Sequence, residues 1–257
     1  MNNVSGITGS YTDYGKLASG KKLQSAADGA TELAMATEAN RQAAGENVGA
    51  QNVQMGKNML NVADSGLAGI NDYLQRMREI AIKASNTAVY SDNDRAIMQK
   101  EVDQLKQGIS DAVKQTTFNE KNLLDGSEKD MRIATDSNGS GINVQLPDDI
   151  LGQLGIADFD VTGNFDIKAL DSAMERVNSA RSSIGSQTNA MEYAYNYLNG
   201  AAEYQTASAS RLEDLDMEKA ISELKKNQTM QMYNIMMQKK RQEAEEQRTN
   251  KLFTTGV

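Results

Sequence analysis

Proline is nearly absent from this chain, and its absence constrains the fold more than any other feature of the sequence. The only proline among 257 residues is Pro147. A proline inside a helix costs about 3 kcal/mol, because it lacks a backbone donor and its ring clashes with the preceding turn. The chain can therefore carry very long uninterrupted helices on either side of Pro147.

Apolar residues recur at alternating steps of three and four within residues 47–85. This is the heptad pattern of a coiled-coil seam, in which one face of a helix packs against a partner helix. It predicts one helix approaching roughly 60 Å at 1.5 Å per residue. Its apolar positions are Leu60, Ala63, Leu67, Ile70, Leu74, Met77, Ala81 and Ala84.

Two further helical segments follow. Residues 86–93 interrupt the pattern, and Asp92 or Asp94 could cap a second, antiparallel helix that carries Met98, Val102, Leu105, Ile109 and Ala112. The heptad returns from Ile167 and could continue into the C-terminal region. We expect a seam that packs the two ends of the chain together through Leu60, Leu67, Leu74, Val177, Ile184 and Met191.

Strand signals are confined to the middle of the chain. Residues 118–126 are typical of a loop, and a Gly- and Asn-rich turn at 136–141 between short apolar stretches predicts a hairpin over 131–144. The expected fold is mainly α: a long antiparallel helical hairpin or coiled-coil bundle with a small β-hairpin region. Its expected divisions are a partly irregular segment 1–46, a rod-like helical domain 47–209 with β structure near 131–165, and a C-terminal helix and charged tail 210–257.

The C-terminal part combines methionines with charges. Several of the fourteen methionines lie within 230–237 and give an adaptable apolar surface that suits partner helices. Residues 239–248 alternate in charge, so they form either a helix solvated on every face or a frayed tail. Four tyrosines lie close together, and two of them fall next to seam positions and can pack with their hydroxyls at the rim, so packing in the core or between subunits is expected rather than ligand binding: Tyr193, Tyr195, Tyr197 and Tyr204.

Composition argues against catalysis. The chain has no histidine and no cysteine, which removes the commonest general base, thiol chemistry and most zinc sites. The acidic residues Glu213, Asp214 and Asp216 are better explained as partners of a helix dipole than as paired catalytic acids. We therefore expect no enzyme activity and no cofactor or metal.

Charge and hydropathy exclude other partners. A formal net charge of -8 disfavours nucleic acid and anionic membrane surfaces. No apolar run approaches the roughly 18 residues of a membrane span, so we expect no membrane insertion. Residues 1–14 lack a basic segment followed by an apolar one, so a secreted form would not use a standard signal peptide.

Four motifs, in the same order along the chain, resemble those of bacterial flagellins. Each alone carries moderate weight, but their order over about residues 16–235 makes chance similarity improbable. They are KLASGKKLQSAADGA at 16–30, LQRMREIAI at 74–82, FN with LLDG within 118–126, and SRLEDLD at 210–216.

The resemblance implies a structural subunit of the bacterial flagellar filament that self-assembles through its terminal helices. It implies a secreted protein of the flagellum whose partners are other flagellin subunits, the flagellar export apparatus and an export chaperone. The short interval between the motif-bearing ends resembles a minimal flagellin without variable outer domains. Two alternatives stay open: a hook–filament junction protein, which the motif at 210–216 disfavours, and a non-polymerising flagellin-like binding protein.

The resemblance also implies an immune partner. Flagellin's Toll-like receptor reads a helix face that Gln75, Arg76, Glu79 and Ile80 match here. Gly108 falls where strongly stimulating flagellins carry a glutamate, so the resemblance implies weakened binding. The alternative for Ile80 is that it only packs in the seam beside Ala81.

Overall fold

The computed structural model describes residues 14–136 and 139–254, and within them the chain is mainly α-helical. The helices are α1 (Ala26–Ala84), α2 (Asp92–Gln115), α3 (Ile150–Leu154), α4 (Lys168–Glu213) and α5 (Met217–Thr254). The strands are β1 (Thr117–Phe118), β2 (Lys121–Asn122), β3 (Asp130–Ala134) and β4 (Gly141–Gln145).

The chain divides into two compact units. The central unit is Gln42–Glu203, and the terminal unit combines Met1–Arg41 with Tyr204–Val257. The ranges of α1 and α4 include residues of both units. The threefold division expected from the sequence stays a prediction.

In the central unit, α1 and α4 pack antiparallel. Three ion pairs connect them, and as the residue number rises along α1 its partner's number falls along α4. The pairs are Lys57–Glu192, Asp64–Arg181 at 2.8 Å and Arg78–Asp171 at 2.6 Å. All of these side chains are partly exposed, so the pairs set the register of the two helices more than they stabilise the fold.

Helix α2 lies antiparallel to α1 as well. Arg76 of α1 pairs with Glu101 of α2 at 2.7 Å, and Gly66, near the middle of α1, lies beside Thr116 at the end of α2. The N-cap of α2 is Ser91, not Asp92 or Asp94 as the sequence suggested. Asp94 instead completes a capping box, because its carboxylate accepts a hydrogen bond of 2.9 Å from the Ser91 backbone.

The predicted seam residues lie in the core of the central unit. Leu60, Leu67, Leu74, Val177, Ile184 and Met191 are all at most 1% exposed and belong to one hydrophobic cluster. The same cluster includes α2 through Val102, Ile109 and Val113. The core therefore involves three long helices rather than two, together with residues from β4, α3 and the loop that follows, such as Val144, Ile150 and Phe159.

The β structure comprises two small antiparallel sheets. β3 and β4 form the predicted hairpin, with Met131 opposite Val144. The expectation that 118–126 is only a loop is wrong, because β1 and β2 pair within it. Strands of two residues are too short to show an alternating pattern, and the turn uses Asn119 and Glu120 at positive φ rather than a glycine.

Side-chain amides hold the β3–β4 hairpin between the long helices. The Asn52 side chain of α1 donates to the Ala134 carbonyl at 3.1 Å. On α4, the Gln187 side chain accepts from the Gln145 backbone amide at 2.7 Å and donates to the Gln145 carbonyl at 2.9 Å. Gln187 thus satisfies backbone groups that a further strand would otherwise pair with.

In the terminal unit, helix α1 begins at Ala26, well before the predicted residue 47, and Gly29 interrupts its regular geometry. Residues 14–19 are also helical, whereas the first part of the predicted irregular segment lies outside the described residues. Residues 239–248 are helical and exposed, which agrees with the solvated helix among the two alternatives that the sequence left open. No helix in the described ranges is long and apolar enough to cross a membrane.

Candidate functional site

Helix α5 carries more exposed large apolar side chains than any other helix in the described part of the chain. Among the residues of α5 whose burial the structure describes, none is buried. Eight of its large apolar side chains are between 39% and 66% exposed: Met217, Ile221, Met230, Met232, Tyr233, Ile235, Met236 and Met237. Because none of the apolar side chains described in this 38-residue helix is buried, the helix gains little stability from tertiary packing.

Residues 230–237 are the densest part of this surface, and we call them the apolar segment. Six of these eight residues are methionine, tyrosine or isoleucine. They span more than two helical turns and point to several sides of α5, so one partner helix would not cover them all. This arrangement suits contact with more than one neighbouring protein chain.

The tyrosines of α4 differ from the sequence expectation. Tyr193, Tyr197 and Tyr204 are 74% to 80% exposed, so these three do not pack in the core, and their packing between subunits stays a prediction. Only Tyr195 packs against the core cluster. Tyr193 and Tyr197 lie four residues apart on one face of α4, away from α1.

The junction between α4 and α5 is built from the fourth motif. The buried Glu213 side chain, 7% exposed, forms an ion pair with Lys21 and accepts from Asn40 at 2.9 Å. The helix-dipole explanation is therefore wrong for Glu213. It fits Asp216, whose carboxylate accepts from the backbone amide of Lys219 at 3.1 Å in the first turn of α5.

The first motif forms the cap of α1. The Asp28 carboxylate accepts hydrogen bonds from the backbone amides of Gln24 at 3.2 Å and Ser25 at 3.0 Å, and pairs with Lys16 at 2.5 Å. These partners, Lys16 foremost, lower the pKa of Asp28 to about 2. The S-x-x-D spacing of Ser25 and Asp28 is the sequence signal that could have identified this cap.

The predicted receptor face lies between α1 and α2. Gln75, Arg76 and Glu79 are exposed on α1. The Arg76 guanidinium donates to Glu101 of α2 at 2.8 Å and to Glu79 at 2.9 Å, and these contacts, Glu101 first, raise its pKa above the ordinary arginine value. Its side chain stays 45% exposed, so a partner's carboxylate can reach it.

Two residues of the predicted receptor face are largely or partly covered by other residues. Ile80 is 2% exposed within the core cluster, so it lies beneath the face and packs in the seam. Gly108 lies beneath the Tyr73 ring, because a Cβ atom there would be 3.1 Å from Tyr73 Cζ. Sequence reasoning missed Tyr73, although its position three residues before Arg76 places it on the same face.

Known proteins match both ends of this helical architecture. The family described as the bacterial flagellin N-terminal helical region matches residues 9–129, and the bacterial flagellin C-terminal helical region matches residues 167–247. These two matches place the chain in the class of structural proteins. The chain belongs to the bacterial flagellin family, whose members are secreted proteins of the bacterial flagellum.

Individual relatives agree with this assignment. Flagellin of Bacillus subtilis is 31% identical, with 82% of each chain covered, and the flagellar filament 33 kDa core protein of Treponema phagedenis is 30% identical, covering 84% of this chain and 82% of that one. The crystal structure of Bacillus cereus flagellin matches with a TM-score of 0.50 and 27% identity, over 58% of this chain and 88% of that chain. A Vibrio parahaemolyticus protein described as flagellar hook-associated shares the fold alone, with a TM-score of 0.60 and 15% identity over 73% of this chain and 100% of that one.

Proposed function

We propose that this protein is a structural subunit of the flagellar filament that assembles with other flagellin subunits through its terminal helices. The observation that carries the proposal is α5, whose described residues are all unburied although several are large and apolar. Burying apolar surface yields about 25 cal/mol per Å², so neighbouring subunits that cover this helix would stabilise it.

Electron microscopy of the purified protein tests the proposal. The protein is incubated alone and with seeds of flagellar filament, and filament length is followed by negative stain. Elongation of the seeds is the expected result. Binding only as a short terminal layer would favour a junction protein, and failure to bind seeds would favour the non-polymerising binding protein.

We further propose that the protein leaves the cell through the flagellar export apparatus with the help of an export chaperone. The assignment to the flagellin family supports this route. Fractionation of motile cells tests it. Protein found only in the cytosol of export-competent cells would contradict the proposal.

A third proposal concerns recognition by the flagellin-sensing Toll-like receptor through Gln75, Arg76 and Glu79. The exposed guanidinium of Arg76 and its neighbouring carboxylates offer a charged contact on a rigid, well-packed helix. Truncation of a residue central to an interface typically costs about 2 kcal/mol or more. Arg76→Ala is therefore expected to weaken binding to the receptor ectodomain at least about tenfold.

The glycine at position 108 gives this proposal a sharper test. Gly108→Glu adds the carboxylate that strongly stimulating flagellins carry, and we expect tighter receptor binding. Any side chain there must displace the Tyr73 ring, so Gly108→Ala is the matched control: it displaces Tyr73 without adding charge. No measurable binding of the unaltered protein, or equal affinity of the two variants, would defeat the proposal.

A further inference from the structure

Methionine is concentrated in one exposed stretch of the chain. Four of the fourteen methionines lie within the apolar segment of α5, and they are 56%, 60%, 58% and 39% exposed: Met230, Met232, Met236 and Met237. Three methionines elsewhere in the chain are core residues, since Met59, Met77 and Met191 are at most 4% exposed. Access by a dissolved reagent therefore differs sharply between the two groups.

An exposed thioether reacts with hydrogen peroxide by a two-electron oxygen transfer. The sulfur attacks one peroxide oxygen, the O–O bond breaks, a sulfur–oxygen bond forms, and the remaining oxygen leaves as water after proton transfer. The sulfur is oxidised and the peroxide is reduced. The product, methionine sulfoxide, is polar and can be reduced back by dedicated reductases.

We propose that Met230, Met232, Met236 and Met237 form an oxidation-sensitive site that controls whether α5 can pack against a second copy of this chain. The inference rests on the proposed assembly through the terminal helices. Four sulfoxides would convert most of the apolar segment into a polar surface, leaving only Tyr233 and Ile235 as large apolar side chains. Each sulfoxide oxygen would have to lose its water on assembly, and burial of an unpaired polar group is unfavourable.

Oxidation of these methionines depends on whether the subunit has already assembled. The sulfurs are accessible in the free subunit, and contact with a second copy would cover them. Peroxide therefore acts on subunits before assembly and spares those already assembled. Reduction of the sulfoxides returns the subunit to the competent form.

The test uses the full-length protein, hydrogen peroxide and filament seeds. Peptide mapping by mass spectrometry should show oxygen at the four α5 methionines well before it appears at Met59, Met77 or Met191. Elongation of seeds by the oxidised protein should fall at least about tenfold relative to the untreated protein. Assembled filaments should resist the same treatment.

Two variants separate this site from general oxidation damage. Leucine at all four positions conserves volume and carries no oxidisable sulfur, so this variant should elongate seeds equally well before and after peroxide. Replacing Met35 and Met55 by leucine removes two methionines of similar exposure, 57% and 53%, elsewhere. That control variant should stay as sensitive as the unaltered protein.

The outcomes distinguish this inference from the proposed function. If the untreated protein does not elongate seeds, the proposed function fails and this inference fails with it. If the untreated and oxidised proteins elongate equally, or if the four-leucine variant loses activity with peroxide, this inference alone is overturned. Should the four-leucine variant not elongate at all, reductase treatment of the oxidised protein decides: recovery supports the site and persistent loss overturns it.

Discussion

Single glycines on α1 determine how closely the β region approaches this helix. A Cβ atom at Gly49 would overlap the Thr135 backbone carbonyl, and one at Gly56 would overlap the Ile133 side chain. Glycine inside a helix costs roughly 0.5–1 kcal/mol relative to alanine. The close packing of the hairpin compensates for that cost.

A first prediction follows for Gly49. Gly49→Ala should lower the free energy of unfolding by about 1–3 kcal/mol, because the clash is with rigid backbone and the hairpin must move away. Chemical denaturation followed by circular dichroism measures the change. The matched control is Gly69→Ala on the same helix, where open space surrounds the new methyl group, and stability should rise by up to about 1 kcal/mol. Similar changes in both variants would contradict the explanation.

For single residues, the sequence predicted which side chains are buried better than it predicted which residues they contact. Heptad spacing identified Leu60, Leu67 and Leu74 because large apolar residues on one helix face must be covered. It could not identify what Gly49 or Gly108 touches, because the partner of Gly49 is more than eighty residues away and that of Gly108 lies on another helix. Ile80 shows the same limit, since a family motif does not indicate which of its residues point inward.

At the scale of elements, the start of α1 depends on one carboxylate. Asp28 holds the amides of Gln24 and Ser25 and the ammonium of Lys16, and its pKa is about 2. Because the folded pKa lies below the ordinary value of 3.8, this cap contributes its full stability above that value and loses it as pH falls toward 2.

The second prediction is a local opening of this cap in acid. Backbone amide signals of Gln24 and Ser25, followed by NMR, should change between about pH 4 and pH 2. Asp28→Asn removes the titrating group, so this acid-dependent change should be absent in that variant. A midpoint near pH 4 in the unaltered protein would contradict the lowered pKa.

Elements with strong periodicity were predictable, and those without it were not. The heptads predicted α2 and most of α4, and turn residues predicted the β3–β4 hairpin. Residues 26–46 of α1 were missed because they are rich in small and polar residues, which give no apolar stripe even though alanine and glutamate favour helix. The junction of α4 and α5 was missed because Glu213 is fixed by Lys21 and Asn40, far away in sequence.

For the whole molecule, burial is unequal between the two units. The large core cluster extends from Ala50 to Leu198 and so belongs to the central unit. The buried apolar residues described in the terminal unit are few and mostly alanines: Leu23, Ala36, Ala39 and Ala209. Because local stability depends on buried apolar contacts, the terminal unit should open far more often than the central one.

The third prediction compares these units directly. In hydrogen exchange measured by mass spectrometry, peptides from residues 217–250 should exchange much faster than peptides from 60–77. In assembled filaments the slow exchange should extend to 217–250, because neighbouring subunits would cover α5. Equal protection of both regions in the free subunit would contradict the burial difference.

The fourth prediction tests the central seam. Leu67 is fully buried, so Leu67→Ala should lower the free energy of unfolding by about 2–5 kcal/mol through lost burial and the cavity left behind. Leu151→Ala is the matched control, since Leu151 is 38% exposed, and should change stability by no more than about 0.5 kcal/mol. Thermal or chemical unfolding measures both variants. An unchanged free energy of unfolding for Leu67→Ala would contradict the prediction that Leu67 packs in the seam.

The antiparallel pairing of α1 with α4 also governs when the chain can fold. Lys57 and its partner Glu192 are separated by 135 residues, so α1 cannot pack against α4 until most of the chain has been synthesised. At about 5–20 residues per second of synthesis, that wait is roughly 7 to 27 seconds. Contacts so distant in sequence also close slowly once both helices exist. A newly made chain therefore spends a long interval as an incomplete bundle with exposed seam residues, and the export chaperone proposed above would have to bind it within that interval.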